Sequence, residues 1–514
     1  MHRLTRSLLV VAVCSITLIP LGCGSPLTAS QRLADFDYLY GAVLDNYPFL
    51  TLLQRTHGFA WADHYEEYRV LVEQAQTDAS FARAIELVLC GLRSEHADIV
   101  PGAMVKAIQS TAAPVWLQTL SAGFSPRRAE YWRALAQERT ETIPATAKAV
   151  YLSGEYVVAA VCPAIANMVE LRTGWVVESV RGVTVLDYVE SHVTDRRLRW
   201  DPILRQPFLR ELEIPYGESV FRDGLGNRVS LTLPTANAHW ASGFYRWPAI
   251  ATGTDWLFSQ VIDGSIGYLY MQRMAATPTV ARDLARHLSP LIQCDDLIID
   301  IRGNPGGSGV WALLVHMLTK ESLEYQRLMV PRASQLMDRL CADVVLSGQG
   351  FSQRPKSELE VFGERIPPEV WLEQFGEPIC FSMKIEPLPG GYSYGGRIWL
   401  LVDDGVYSNA AAFAAFCTAT GWATVVGTPI GGEGVGLDPL YFMLPNSGMV
   451  VRIPSVLGLN PDGSANAEYC TMPDVVTRHL PDDAVKLPRK AMQGTDADDD
   501  RVLHQCLDLI RSSR

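Results

Sequence analysis

Residues 297–309 read Leu-Ile-Ile-Asp-Ile-Arg-Gly-Asn-Pro-Gly-Gly-Ser-Gly. The aliphatic run at its start predicts a strand buried on both faces, as in a parallel sheet covered by helices. The strand runs straight into a glycine-rich turn, and an apolar helix is expected over 310–319. Glycines allow positive φ and let backbone N–H groups converge on an anion. A phosphate loop is one reading of such a turn, but no Gly-Lys-Ser/Thr follows and the dinucleotide-binding spacing is absent. The remaining reading is an oxyanion hole.

A second stretch repeats the pattern. Residues 398–402 (Ile-Trp-Leu-Leu-Val) predict a strand, Asp403 to Tyr407 a turn, and the alanine-rich 409–420 a helix. Ser408 stands at the start of that helix. Serine is a preferred N-cap, and a cap is the plain reading. The same position also exposes a hydroxyl at the positive end of a helix, where a nucleophile and an oxyanion are stabilised. Further strands are expected at 267–271 and 424–426, and a helix at 279–288. Alternation of this kind implies an α/β layered core with parallel strands.

The rest of the chain differs. Residues 31–95 carry apolar residues at helical spacing, including Phe36, Leu39, Tyr40 and Val43. Residues 111–145 show no clear period. From 148 to 235 short alternating runs predict strands, with one helix near 186–193. Residues 320–395 are long, proline-bearing and irregular, and are expected to form an insertion over the active face. Asp496 to Asp500 precede a last amphipathic helix, 502–510. A calcium loop fails there, because Arg501 and Leu507 stand where the turn glycine and the bidentate glutamate belong.

Arg3, Arg6 and an apolar stretch from Leu8 to Leu21 form a signal peptide, too short to span a bilayer. It ends in Leu21-Gly22-Cys23, similar to a bacterial lipobox, which implies lipidation at Cys23, export and a membrane-anchored place in the cell envelope. The formal net charge of -12 argues against nucleic acid as a partner. The 10 cysteines contain no C-x-x-C pair, so neither a zinc site nor any particular disulfide is predicted. No metal or organic cofactor is implied.

Asp300-x-Arg302-x-Asn304-x-Gly306-Gly307 together with the strand–Ser408–helix turn resembles the tail-specific (C-terminal-processing) serine protease family. The resemblance implies an α/β (α+β multidomain) fold: a crotonase-like ββα core with an N-terminal helical domain and a PDZ-like β-rich segment. The parts would be a signal peptide (1–22), tether (23–30), helical domain (31–110), PDZ-like region (111–249), catalytic domain (250–485), and an acidic linker with a terminal helix (486–514). By the same resemblance Ser408 is the nucleophile. Gly306 or Gly307, with Asn409, supplies the oxyanion donors, while Asp300, Arg302 and Asn304 support the turn. The substrate is polypeptide.

One branch of the family uses a lysine base, but Glu433 stands at its place and no lysine lies between Lys384 and Lys486. The branch similar to the tricorn protease core uses histidine, which implies His96 as base. Its orienting carboxylate is assigned to Glu468, before Pro473-Asp474, with Ser94, Glu95 and Glu433 as rivals. Two departures, Ser94 for the usual Asp and Ala411 for the frequent Glu, keep open a different class: an inactive relative binding peptides or ligands at the envelope.

Overall fold

The computed structural model describes residues 26–110, 113–137, 145–192, 197–235, 255–486 and 500–513. Cys23, the signal peptide and Asp496 to Asp499 lie outside the described residues.

The α/β region expected from the alternating pattern is built on a six-stranded sheet. Its order is Leu257–Ile262, Ile266–Met271, Asp296–Asp300, Arg397–Val402, Thr424–Gly427 and Val475–Val476. The first pair is antiparallel and every later pair is parallel. Side-chain alternation divides these strands between two cores. Leu269, Leu297, Ile299, Leu400 and Val425 pack beneath helices Val280–Leu288, Val310–Leu318 and Asn409–Thr420. Tyr268, Ile298, Trp399, Leu401 and Val426 face the opposite way, onto Val502, Leu503, Cys506 and Leu507 of the terminal helix Arg501–Ser512. The amphipathic period at 502–510 is therefore the lid on the sheet's second face.

The helical region includes Ala29–Asn46, Leu50–His57, Tyr65–Glu73 and Asp78–Cys90, and continues through Gly102–Ile108, Val115–Ser121 and Pro126–Gln137. The last two fill a stretch whose sequence shows no clear period. Pro126–Gln137 buries only Ala129, Trp132 and Ala136, so its apolar stripe is narrow. Residues 145–233 form a seven-stranded sheet with the helix Val185–His192.

Residues 320–395 are more regular than their sequence predicts. Strands Leu323–Pro331, Phe351–Gln353 and Ile379–Ile385 join Val456–Leu459 in a four-stranded antiparallel sheet, and Gln335–Leu346 is a helix. In Leu323–Pro331 the buried Tyr325 alternates with exposed Glu324 and Gln326, which leaves too little apolar signal to mark a strand. This sheet shares one core with the N-terminal helices, through Met329, Leu340, Val456 and Leu457.

Candidate active site

Strands Asp296–Asp300 and Arg397–Val402 are adjacent and parallel, with Asp300 paired to Leu401. Their following turns therefore emerge side by side at the C-terminal edge of the sheet, where α/β proteins place their sites. Three hydrogen bonds tie the two turns together. Gly303 N donates to Asp403 Oδ1 at 2.8 Å, Tyr407 N to the Asn304 carbonyl at 3.1 Å, and Asn409 Nδ2 to the Gly307 carbonyl at 2.7 Å.

Asp300 and Arg302 hold the glycine-rich turn from below. The buried Arg302 guanidinium donates to Asp300 and, in a two-pronged pair, to Asp500 Oδ1 and Oδ2 at 2.6 and 2.7 Å. Asp500 in turn accepts from Leu503 N, capping the terminal helix at 3.1 Å. Tyr268 donates its hydroxyl to Asp300 at 2.7 Å. A buried charge survives only when paired in this way. Asn304 braces the turn through Nδ2 to the Met271 carbonyl (2.8 Å) and through Oδ1, which accepts from Gly306 N (2.9 Å).

That last bond separates the two glycines. Gly306 N is occupied, whereas no acceptor takes the N–H of Gly307 or of Asn409 among the described residues. Gly306 serves by its size. A β-carbon there would lie 2.7 Å from the Tyr407 carbonyl, 2.8 Å from Ser408 Cβ and 2.9 Å from Asn409 N. Only glycine lets the first turn approach the second so closely.

Ser408 is not a cap. Its φ and ψ are 54° and −128°, and its side chain caps no N–H of the helix that follows. An N-cap normally sits in extended backbone with its oxygen bonded to the first turn. A non-glycine residue in this region costs on the order of 1–3 kcal/mol and clusters at functional sites. The geometry is that of an elbow between strand and helix, which holds a serine hydroxyl out from the backbone.

His96 reaches the site from the N-terminal region. Helix Asp78–Cys90 ends, and the short strand Asp98–Ile99 pairs antiparallel with Val450–Ile453. Asp98 receives Arg452 Nε at 2.5 Å, Ser94 Oγ accepts from His96 N at 3.0 Å, and Arg197 Nε donates to the Ala97 carbonyl at 2.9 Å. The backbone on both sides of the imidazole is thus clamped. The ring packs on Tyr407, the neighbour of Ser408, with centroids 4.8 Å apart. Burial, then the negative charges of Glu433 and Glu95, push the Tyr407 phenol well above its usual range, so it stays neutral.

His96 Nδ1 lies 2.9 Å from Glu433 Oε2, and both side chains are largely buried. Glu433 has a φ of 55° in a loop pressed against the Asn409–Thr420 helix. A β-carbon on Gly434 would stand 2.5 Å from Ala411 Cβ. The small residue at 411 is therefore the complement of this loop, since any longer side chain would displace it.

Glu468, assigned above as the orienter, does not meet His96. It is buried and held by Arg55 Nη1 at 2.5 Å and Arg205 Nη2 at 2.9 Å. The turn pattern points to this carboxylate, but two guanidiniums claim it. Of the rivals, Ser94 supports the backbone of the turn. Burial pushes the Glu95 carboxyl up, but the charge and hydrogen bond of Arg199, with the charges of Arg210 and His96, together hold it below its usual range. Two contributors went unnoticed in sequence: Tyr407, and Asp403, whose Oδ1 accepts from both Gly303 N and Gly405 N (2.8 and 2.9 Å). Tyr407 directly precedes Ser408, and Asp403 opens the same turn.

Comparison with known proteins gives the following. Residues 265–477 match the family model of peptidase family S41. No curated protein matches the sequence. Among solved structures, mature CPAF superposes with a TM-score of 0.52 at 15% identity, covering 94% of this chain and 98% of that one. Mature CPAF complexed with lactacystin gives 0.50 at 14%, covering 94% and 97%. At such identities the likeness shows a shared fold.

Proposed function

We propose that the chain is a serine peptidase of family S41, from the branch that uses a histidine base, and that it hydrolyses polypeptides through an acyl-enzyme at Ser408. The observation that carries this reading is the 2.9 Å pair between His96 Nδ1 and Glu433, set beside an uncapped serine in a strained elbow. A carboxylate on Nδ1 fixes the tautomer that leaves Nε2 as acceptor and stabilises the imidazolium once formed. His96 then takes the Ser408 proton as Oγ attacks the scissile carbonyl. The N–H groups of Gly307 and Asn409 hold the developing oxyanion, where one such donor is worth about 3–4 kcal/mol. His96 returns the proton to the leaving amine, and water cleaves the acyl-enzyme by the same steps in reverse.

In this reading the six-stranded sheet and its helices are a crotonase-like core, and the seven-stranded sheet a PDZ-like module. The chain is exported and tethered to the envelope membrane through lipidated Cys23. A fluorophosphonate probe tests the chemistry. Wild type should label and Ser408→Ala should not, with peptide hydrolysis falling at least ~10⁴-fold in that variant. A folded wild type that never labels makes the chain an inactive, ligand-binding relative.

A further inference from the structure

A larger cavity, of about 370 Å³, opens on the same edge of the sheet as Ser408. Its volume falls within the ~300–1,000 Å³ of ligand sites. One wall is the hairpin of strands Arg199–Asp201 and Gln206–Phe208. The others are the edge of the seven-stranded sheet at Val150 to Ser153 and the core loops at Asp403–Asp404 and 428–431. Where 476–479 meets the sheet, His479 N donates to Ser153 Oγ at 2.8 Å.

Two features define what it accepts. First, its lining cations are largely paired with carboxylates. Arg210 Nε meets Asp404 Oδ2 at 2.7 Å, and Arg199 pairs with Glu95 and donates to the Asp404 carbonyl. His479 pairs with Asp483 at 3.3 Å, and the remaining cation, Arg478, is at the exposed rim. Second, the mouth is ringed by large apolar residues left about half in water: Ile203 at 53%, Leu204 at 46% and Val476 at 42%. Apolar side chains gathered at a concave opening mark a binding site.

The cavity shares part of its wall with the cleft beside the proposed catalytic groups. Gly431, Arg199 and Trp200 also line the smaller cleft that contains Tyr407 and Glu433. Gly431 N donates to the Val406 carbonyl at 3.1 Å, two residues before Ser408. We infer that this cavity is a specificity pocket that takes a large apolar side chain of the polypeptide substrate, flanking the bond presented to Ser408. The inference rests on the peptidase reading for its substrate class, but its test does not require turnover.

The probe is a set of fluorescent decapeptides in which one phenylalanine is walked along an alanine–glycine–lysine scaffold, titrated onto the Ser408→Ala chain. One position of phenylalanine should bind at least about tenfold tighter than the all-alanine peptide, since burying an aromatic ring contributes well over the 1.4 kcal/mol that tenfold represents. Ile203→Asp and Leu204→Asp, each at a half-exposed site that tolerates a charge, should remove that preference while the all-alanine affinity stays the same. Equal affinity across the set, or a preference that survives both rim substitutions, overturns the pocket. Fluorophosphonate labelling of wild type, read separately, reports whether the serine chemistry itself holds.

Discussion

Two turns, one around Glu433 and one around Glu468, line the same small cleft, and each holds a glutamate side chain largely out of water. Their electrostatic situations are opposite. Glu468 is matched by two permanent cations, Arg55 and Arg205. Its charge is spent on holding the Leu50–His57 helix and the 199–208 hairpin against the core, and it has none left to favour a new positive charge nearby. Glu433 has no guanidinium or ammonium partner among the described residues, and it pairs instead with the imidazole of His96. That pairing becomes an ion pair only when the ring takes a proton, which is the moment the proposed mechanism needs it. The residue type is the same and both side chains are largely out of water; the partner's capacity to change charge separates a structural carboxylate from the one proposed to orient the base.

The sharpest way to break this comparison is to neutralise each carboxylate in turn. Glu433→Gln should lower kcat/KM by about 10³–10⁴-fold, the scale expected when an orienting carboxylate is lost and the wrong tautomer is held. Its Tm should move little, because the amide can still bond Nδ1. Glu468→Gln should do the reverse, lowering Tm while the folded fraction keeps its kcat. If both variants lose activity equally at unchanged Tm, the division of labour is wrong.

Arg55 tests the structural half. It bonds Glu468 and also Glu369, whose side chain is wholly buried, at 3.1 Å. Arg55→Met leaves both carboxylates short of a partner. The Arg55 side chain is about one-third exposed, so water softens the full penalty of breaking a buried pair, and about 2–4 kcal/mol of destabilisation is expected in urea unfolding. Fluorophosphonate labelling below the transition should be unchanged.

How far the sequence showed this depends on the distance along the chain over which each contact closes. Residues 297–309 and 398–409 carry their structure locally. Each aliphatic run, turn and helix is contiguous, so strand, bend and hydroxyl position were all visible. The choice between Gly306 and Gly307 needed only the next layer, the Asn304 side chain that occupies one N–H. The orienting carboxylate was of another kind. His96 and Glu433 are 337 residues apart. They meet because Asp98–Ile99 adds to the edge of Val450–Ile453, a two-residue strand with no periodicity to read. By the family resemblance Glu433 stands where one branch puts its lysine, which made it a candidate neighbour of the serine. A turn pattern around Glu468 outweighed that clue, and nothing in the sequence announced that Arg55 and Arg205 would converge on Glu468.

Asn409 sharpens the comparison within the oxyanion site. Its N–H is proposed to stabilise charge, while its side chain holds the Gly307 carbonyl at 2.7 Å. Asn409→Ala keeps the backbone donor and removes the brace. Removing one neutral hydrogen bond costs about 1 kcal/mol. If the loss falls on the orientation of the turn, kcat should drop about fivefold to tenfold with KM nearly constant, separable in steady-state kinetics from a loss of substrate binding.

An effect read in pH rather than at one condition concerns another side chain of the same cleft, this one a base. His57 packs against Trp200 at 4.6 Å and bonds Thr56 through Nδ1. Burial first, and the nearby Arg93 charge second, lower its pKa to about 3. The folded state therefore keeps this ring neutral while the unfolded chain, with an ordinary value near 6.5, protonates. Between those values the unfolded state binds more protons, so stability is complete above about pH 6.5 and declines as pH falls towards 3, by at most ~1.4 kcal/mol per pH unit. Replacing His57 with Phe keeps a ring against Trp200 and removes the titration. The difference in unfolding free energy between His57→Phe and wild type should shift in favour of the variant as pH falls from 6.5 to 4.5, and should be flat above 7. A difference that does not change with pH would mean the ring is already solvated in the folded protein, and the cleft beside Glu433 wetter than its lining implies.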